Sequence, residues 1–170
     1  SGRKVEVAGD FALTTPVARD ATVLGAAQSA PYIDVIAHAL AESDNAIYEN
    51  LTRQAMVHDG AEVPADGVTG DYVRDRLEQA GIDVTNVGIK DASGLTPGQT
   101  APLAVIDAVL ARAVGGNDLG LRRIIAELPV AGLSGTLAER FEAADTRPAA
   151  GIPRAKTGSL TGVSSLAGTT

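Results

Sequence analysis

The sequence has no cysteine and no tryptophan, and aromatic residues make up only 3% of its 170 residues. The lack of cysteine excludes disulfide scaffolds, thiolate metal sites and cysteine nucleophiles. Because aromatic residues are scarce, the core must be built from alanine, valine, leucine and isoleucine, and we expect modest stability. The only two histidines are His38 and His58, so a catalytic triad or a multi-histidine metal site would need one of them.

Basic residues are also scarce: the sequence has 14 lysines and arginines and 21 acidic residues, so the formal net charge is −7. A negative chain has no general attraction to phosphate backbones, so we predict no nucleic-acid partner. The sequence contains no apolar run of about 18 residues, so no membrane span is predicted in it. The sequence also has no basic region followed by an apolar stretch, the pattern that would indicate a signal peptide. Apolar residues make up 45%, enough for a packed core in one domain or a large part of one.

The spacing of apolar residues predicts a helix-rich chain with strands near both ends. Ser29-Ala30-Pro31 is typical of a helix start, and turn-forming residues after Glu42 predict the end of that helix. Further helices are predicted over residues 46–58, 69–80 and 119–128, and in a segment that Thr100 caps and that carries Pro102 near its first turn. Strands are predicted over residues 4–13 and 84–90, and in a hairpin over residues 154–168 that turns at Leu160-Thr161-Gly162.

Two short motifs carry the candidate chemistry. Ser43-Asp44-Asn45 lies in the predicted turn between two helices, and Lys156-Thr157-Gly158-Ser159 opens the predicted hairpin. Serine acyltransferases that bind penicillin use S-x-x-K, then S-x-N, then K-T-G, in that order along the chain. Two of the three elements are therefore present in the right order and in suitable local contexts.

The polar turn has both a catalytic and a structural interpretation. The hydroxyl of Ser43, held beside a nucleophile, could relay a proton to a departing amine, and the amide of Asn45 could donate to a substrate carbonyl. The structural alternative is that Asp44 or Asn45 simply caps the following helix. The motif is short enough to occur by chance, so it gains weight only together with the second one.

The hairpin motif suits the binding of a peptide with an anionic end. The ammonium of Lys156 supplies positive potential, and the hydroxyl of Thr157 can hydrogen-bond to a carboxylate. Gly158 leaves room for a peptide to pair beside the strand, and the N–H of Ser159 can help to hold an oxyanion. The structural alternative is an ordinary turn glycine beside a solvated lysine.

The sequence around both motifs resembles the D-alanyl-D-alanine carboxypeptidase/endopeptidase family, the class C low-molecular-mass penicillin-binding proteins. The resemblance extends from about Ala21 to Gly168 and rests on the sequence blocks 28–31, 43–46, 91–95, 128–132 with 135–137 and, most specifically, 154–168. By this resemblance, Ser43 and Asn45 match the second family motif, and residues 156–158 match the third. Ser159 matches the position whose amide contributes to the oxyanion hole.

The resemblance implies an α+β fold, an α/β sandwich of the penicillin-binding transpeptidase/β-lactamase-like type with helices packed on an antiparallel sheet. It also implies a serine-type hydrolase that attacks the bond between two terminal D-alanines, or a D-amino acid cross-link, and passes through an acyl-enzyme. The implied partners are peptidoglycan peptides and β-lactams, and the implied location is extracytoplasmic. No cofactor and no metal are expected.

One family element, the S-x-x-K nucleophile motif, has no convincing match. Its only occurrence is Ser1-Gly2-Arg3-Lys4, which we interpret as accidental because it lies at a chain end and precedes a strand-like pattern rather than a helical one. We therefore expect residues 1–170 to form a partial catalytic domain without the N-terminal half that carries S-x-x-K and without the last C-terminal elements. The missing half is a candidate partner, and the isolated chain is expected to be inactive.

Two other functions remain open at this point. A serine β-lactamase shares both motifs but also needs a deacylating base, usually in a Glu-x-x-x-Asn pattern that is not found between them. A non-catalytic peptidoglycan- or ligand-binding module would keep the cleft without covalent chemistry. His38 and His58 are expected to be structural, and Asp91 and Ser93 are expected to form a turn. The carboxypeptidase interpretation requires residues 43–45 and 156–159 to meet in one cavity.

Overall fold

The computed structural model describes residues 20–64 and 68–170, so the strand predicted over residues 4–13 and the Ser1–Lys4 match lie outside the described residues. Within these described residues, five helices and a two-stranded antiparallel hairpin give the expected α+β architecture. The elements are α1 Tyr32–Glu42, α2 Asn45–His58, α3 Gly70–Gln79, α4 Leu103–Gly115, α5 Leu119–Ala126, 3₁₀ turns at Gly135–Leu137 and Arg147–Ala149, β1 Arg154–Leu160 and β2 Val163–Thr169. In the described part of the chain, no helix has the length and apolar character needed to cross a bilayer.

The connection between α1 and α2 is a tight turn held by the backbone and one cap. Ser43 adopts the left-handed conformation (φ 59°, ψ 44°) and donates its N–H to the carbonyl of Ala39. The side chain of Asp44 accepts a hydrogen bond of 3.0 Å from the N–H of Ile47, so Asp44 is the N-cap of α2. Asn45 is the first residue of the helix. The capping interpretation of Asp44 is thus correct, and it leaves the side chains of Ser43 and Asn45 to other contacts.

The predicted hairpin forms and turns at Thr161-Gly162, with Leu160 paired to Val163. Gly162 takes a positive φ of 78°, which glycine adopts without steric cost. The first half of β1 is anchored on its other edge, where the N–H of Ala155 donates to the carbonyl of Pro129 at 2.9 Å. The anchor leaves the second half of β1 projecting along the surface.

The core is aliphatic, as the composition predicts. Leu137 is fully buried in the 3₁₀ turn at residues 135–137, which packs against the end of α1. This close approach requires Gly135 (φ 52°), because a Cβ there would lie 2.9 Å from both the carbonyl oxygen of Ala41 and the Cγ of Pro129. The buried apolar residues are Ala39, Leu40, Met56, Val84, Val105, Ala113, Leu128, Ala131, Leu137 and Ala155.

The predicted strand over residues 84–90 is wrong. The segment forms only an isolated bridge between Gly88 and Thr100, and Asn86 interrupts it with a positive φ of 62°. The helix cap predicted at Thr100 is also wrong. Thr100 takes part in the bridge instead: its carbonyl oxygen accepts from the N–H of Gly88 at 2.8 Å, and its N–H donates to the carbonyl oxygen of Gly88 at 3.0 Å. The next helix begins after Pro102 with no side-chain cap.

The helix predicted over residues 119–128 ends earlier, at Ala126. Leu128 precedes Pro129, and the proline ring disfavours a helical backbone at the residue before it.

Candidate active site

The turn between α1 and α2 and the strand β1 meet at one cavity of about 710 Å³. The Nζ of Lys156 donates to the Oγ of Ser43 at 2.8 Å and to the carbonyl oxygen of Thr157 at 2.9 Å. The two motifs, far apart along the chain, are therefore joined by a direct hydrogen bond. All six residues singled out from the sequence line this cavity: Ser43, Asn45, Lys156, Thr157, Gly158 and Ser159.

Lys156 is half-buried and has neutral hydrogen-bond partners. Burial lowers the pKa of its ammonium below the ordinary value, because a charged group that loses water is destabilised. A lysine with a lowered pKa gives up its proton more readily, and its neighbour is the hydroxyl of Ser43. The pair is chemically suited to moving a proton between a side chain and a bound substrate.

Ser43 is held in a conformation that is unfavourable for a residue with a side chain. The carbonyl oxygen of Ala39 supports it by accepting from the N–H of Ser43, from the N–H of Asp44 at 3.1 Å and from the hydroxyl of Tyr48 at 2.9 Å. Burial and the charge of Asp44 raise the pKa of Tyr48, so this phenol remains a donor. Sequence reasoning missed Tyr48, whose only signal was its place one turn into α2.

β1 offers a free backbone edge to the cavity. The N–H of Ala155 points away from β2 toward Pro129, and strand alternation turns the backbone groups of Thr157 and Ser159 to the same edge. Among the described residues, no backbone hydrogen bond occupies this edge beyond Ala155. The N–H of Ser159 is therefore available to an acceptor in the cavity.

The glycine of the K-T-G motif, Gly158, is predicted to leave room for a bound peptide, and the structure gives a second reason for a glycine at this position. A Cβ on Gly158 would collide with the Oγ of Ser165 on β2. Beside it, the hydroxyl of Thr157 donates to the hydroxyl of Thr136 at 2.8 Å. Thr136 also lines the cavity; the sequence placed it in a block that carries the family resemblance but gave it no role in the site.

The third wall of the cavity is a loop at residues 92–95 that Asp91 organises. The Asp91 carboxylate accepts hydrogen bonds from Gly94, Thr96 and Gln99. Burial raises the pKa of Asp91, but these hydrogen bonds outweigh it and hold that pKa well below its usual range. The turn predicted at Asp91 and Ser93 is therefore correct.

The loop is also tied to α2. Oε1 of Glu49 accepts from the N–H of Ser93 at 2.8 Å, and Oε2 lies 3.3 Å from the hydroxyl of Thr69. Glu49 lies one helical turn after Asn45, so the helix that carries the candidate amide also holds the opposite wall.

The histidines lie elsewhere. His38 and His58 are exposed and do not line this cavity. His58 borders a separate cavity of about 740 Å³ between α1, α2 and α3, which contains none of the motif residues. In residues 20–64 and 68–170, no group of three histidine or acidic side chains is placed to hold a metal ion.

Helices around an antiparallel hairpin, with S-x-N and K-T-G on facing walls of one cavity, define a penicillin-binding fold. The crystal structure of penicillin binding protein 4 from Haemophilus influenzae matches this chain with a TM-score of 0.66 and 29% identity, over 79% of this chain and 29% of that one. The same protein in complex with a β-lactam gives a TM-score of 0.65.

The family follows from the sequence match. Residues 3–170 match the D-Ala-D-Ala carboxypeptidase 3 (S13) family, and the chain belongs to that family. Carboxypeptidase DacB of Mycolicibacterium smegmatis is 38% identical over 151 residues, which are 88% of this chain and 33% of the relative. The D-alanyl-D-alanine carboxypeptidase of an Actinomadura species is 32% identical over 96% of this chain and 31% of its own length. The chain thus spans about a third of these relatives, and the resemblance drawn from the motifs is confirmed.

Proposed function

We propose that this chain supplies the S-x-N and K-T-G walls of a serine-type D-Ala-D-Ala carboxypeptidase site. A whole protein that contains it would remove the terminal D-alanine from peptidoglycan stem peptides outside the cytoplasmic membrane, and would bind penicillins. The observation that carries this proposal is the 2.8 Å hydrogen bond from Lys156 to Ser43 in a cavity bordered by a free strand edge. The attacking serine would belong to an S-x-x-K segment outside the described residues.

In the proposed reaction, the peptide pairs with the free edge of β1, and Asn45 donates its amide to a substrate carbonyl. A new ester bond forms between the attacking serine and the carbonyl carbon while the N–H of Ser159 stabilises the oxyanion. The C–N bond then breaks, and the proton lost by the serine reaches the departing D-alanine amine through Ser43 and Lys156. Water cleaves the ester, which restores the serine and releases the shortened peptide.

The isolated chain is proposed to bind peptides without reacting with them. Its one S-x-x-K match, Ser1–Lys4, is interpreted as accidental, so no serine in it is activated as a nucleophile. Incubation with a fluorescent penicillin, followed by intact mass measurement, is expected to give no covalent increase. A stoichiometric adduct contradicts this proposal, and an adduct on Ser43 also contradicts the role assigned to that residue.

Restoring an S-x-x-K segment tests the proposal as a whole. A longer protein that joins this chain to the N-terminal part of the domain is expected to release D-alanine from an acyl-D-Ala-D-Ala peptide. The Ser43→Ala variant should lose that activity, whereas Ser164→Ala should keep it, because Ser164 is exposed on β2 outside the cavity walls. Reversible peptide binding without D-alanine release would instead support a non-catalytic binding module.

A further inference from the structure

The loop at residues 92–95 forms one wall of the cavity and has few ties to the rest of the fold. The carboxylate of Asp91 fixes its internal shape through hydrogen bonds from backbone N–H groups in and just after the loop. In the described part of the chain, a single hydrogen bond joins the loop to α2, the one of 2.8 Å from the N–H of Ser93 to Oε1 of Glu49. The position of this wall relative to α2 therefore depends on that bond.

Glu49 is itself firmly held, on the face of α2 that also carries Asn45. Its side chain is only 16% exposed. Oε2 accepts from the hydroxyl of Thr69 at 3.3 Å, and the guanidinium of Arg53 lies 3.5 Å from the same oxygen. Thr69 is fully buried and immediately precedes α3. Residues four apart on a helix share a face, so Glu49 carries the position of Asn45 across to the loop.

The carboxylate of Glu49 lies behind the cavity rather than in it. Asn45 and Ser93 line the described walls of the cavity, and Glu49 does not. A peptide bound in the cavity would lie between those two walls. Misplacement of a reacting group by about 1 Å can cost about 100-fold in rate, because the reacting atoms no longer align. A side chain that spaces the walls can thus control the reaction without touching the substrate.

We propose that Glu49 is a positioning residue: by holding Ser93 at a fixed distance from Asn45, it sets the width of the cavity and the orientation of the bound peptide. The inference rests on the proposed function and deepens it. The effect comes from the reach of the side chain rather than from its charge. Glutamine has the same length and can accept from Ser93 while it donates to Thr69, whereas aspartate keeps the charge but is one methylene too short to hold both contacts.

The first measurement follows hydrogen exchange of the Ser93 amide by NMR in the 170-residue chain. Glu49→Gln should keep the exchange rate within about twofold of the unaltered chain, and Glu49→Asp should raise it at least about tenfold, since the amide loses its acceptor. Glu78→Asp, which shortens an exposed glutamate on α3, is the matched control and should leave the rate unchanged. Equal exchange rates in every variant overturn the proposed link.

The second measurement is D-alanine release by the longer protein with the S-x-x-K segment restored. Glu49→Asp should lower kcat about 30-fold and keep KM within about threefold, because the peptide still pairs with β1 but its carbonyl is misaligned. Glu49→Gln should keep at least about a third of kcat, and Glu78→Asp should match the unaltered protein. A role for the charge would reverse the order of the two Glu49 variants. A purely stabilising role would lower the Tm without separating kcat from KM.

The outcomes separate this inference from the proposed function. D-alanine release that is unchanged in Glu49→Asp overturns the inference alone. A loss in Glu49→Gln that equals or exceeds the loss in Glu49→Asp also overturns it, since the charge would then be what matters. No release by the unaltered longer protein overturns the proposed function, and the inference with it. Assays below the lowest Tm of the set keep loss of the fold out of the comparison.

Discussion

The turn that carries Ser43 and the strand that carries Lys156 are held by contacts of very different range. Ser43 is positioned by Ala39, Asp44 and Tyr48, all within a few residues of it along the chain. Lys156 reaches its place because β1 is anchored to residues 129–131 and because the 3₁₀ turn at residues 135–137 packs on α1. One half of the site is a local structure, and the other depends on the assembled core. Changes to the long-range part should therefore be the more damaging.

The largest effect is expected where the two regions touch. Lys156→Ala, in a protein with the S-x-x-K segment restored, should lower kcat/KM for D-alanine release by about 1,000-fold, because proton transfer through Ser43 is lost. Thermal unfolding should change little, since the lysine is only half-buried. Retention of more than a tenth of the activity would contradict the role of this pair. Ser164→Ala serves as the control on the neighbouring strand.

Next in size is the packing that joins the long-range region to α1. Gly135→Ala should destabilise the fold by about 2–3 kcal/mol, because it combines a positive φ with contacts of 2.9 Å to Ala41 and Pro129. Urea unfolding measures the change. Gly60→Ala is the matched control, since Gly60 has a similar φ of 72° and open space around it. Equal losses in both variants would mean that only backbone strain matters at Gly135.

The local region should respond more weakly. Tyr48→Phe removes the hydroxyl that donates to Ala39 and should cost about 1 kcal/mol in unfolding free energy. The turn should also hold Ser43 less firmly, so we expect a several-fold fall in kcat with KM nearly unchanged. Tyr32→Phe, which removes an exposed hydroxyl bonded to Gln54, should affect neither measurement. A larger loss than for Gly135→Ala would reverse the ranking of the two regions.

The smallest effect concerns the Asp91 loop, which is built locally like the Ser43 turn. The folded-state pKa of Asp91 lies below its ordinary value, so its stabilising contribution is present above the ordinary pKa and is lost as the pH falls toward the folded one. As the pH is lowered below about 4, the Tm of Asp91→Asn should therefore fall less steeply than the Tm of the unaltered chain in thermal melts. Asp75→Asn, an exposed change on α3, should keep the original pH dependence. An unchanged slope in Asp91→Asn would show that its hydrogen bonds add no pH-dependent stability.

The same division explains what could be predicted before the structure. The helices α1 and α2, the Asp44 cap, the turn at Asp91 and the hairpin follow from patterns within a few residues, and they are correct. The strand predicted over residues 84–90 failed, because Gly88 pairs with Thr100 instead of with a neighbouring strand. Thr136 lies in one of the sequence blocks that carry the family resemblance, but its contact with Thr157 could not be predicted, since it depends on how distant segments meet at the cavity.

The sequence by itself determined the local elements, the two motifs and their order, because hydrogen bonding and side-chain alternation over short distances specify them. Only the tertiary structure decided that Lys156 meets Ser43, that the edge of β1 beyond Ala155 faces the cavity, and that Thr136 meets Thr157 there. These features depend on how distant segments pack, and packing of an aliphatic core is a property of the whole fold rather than of any one segment.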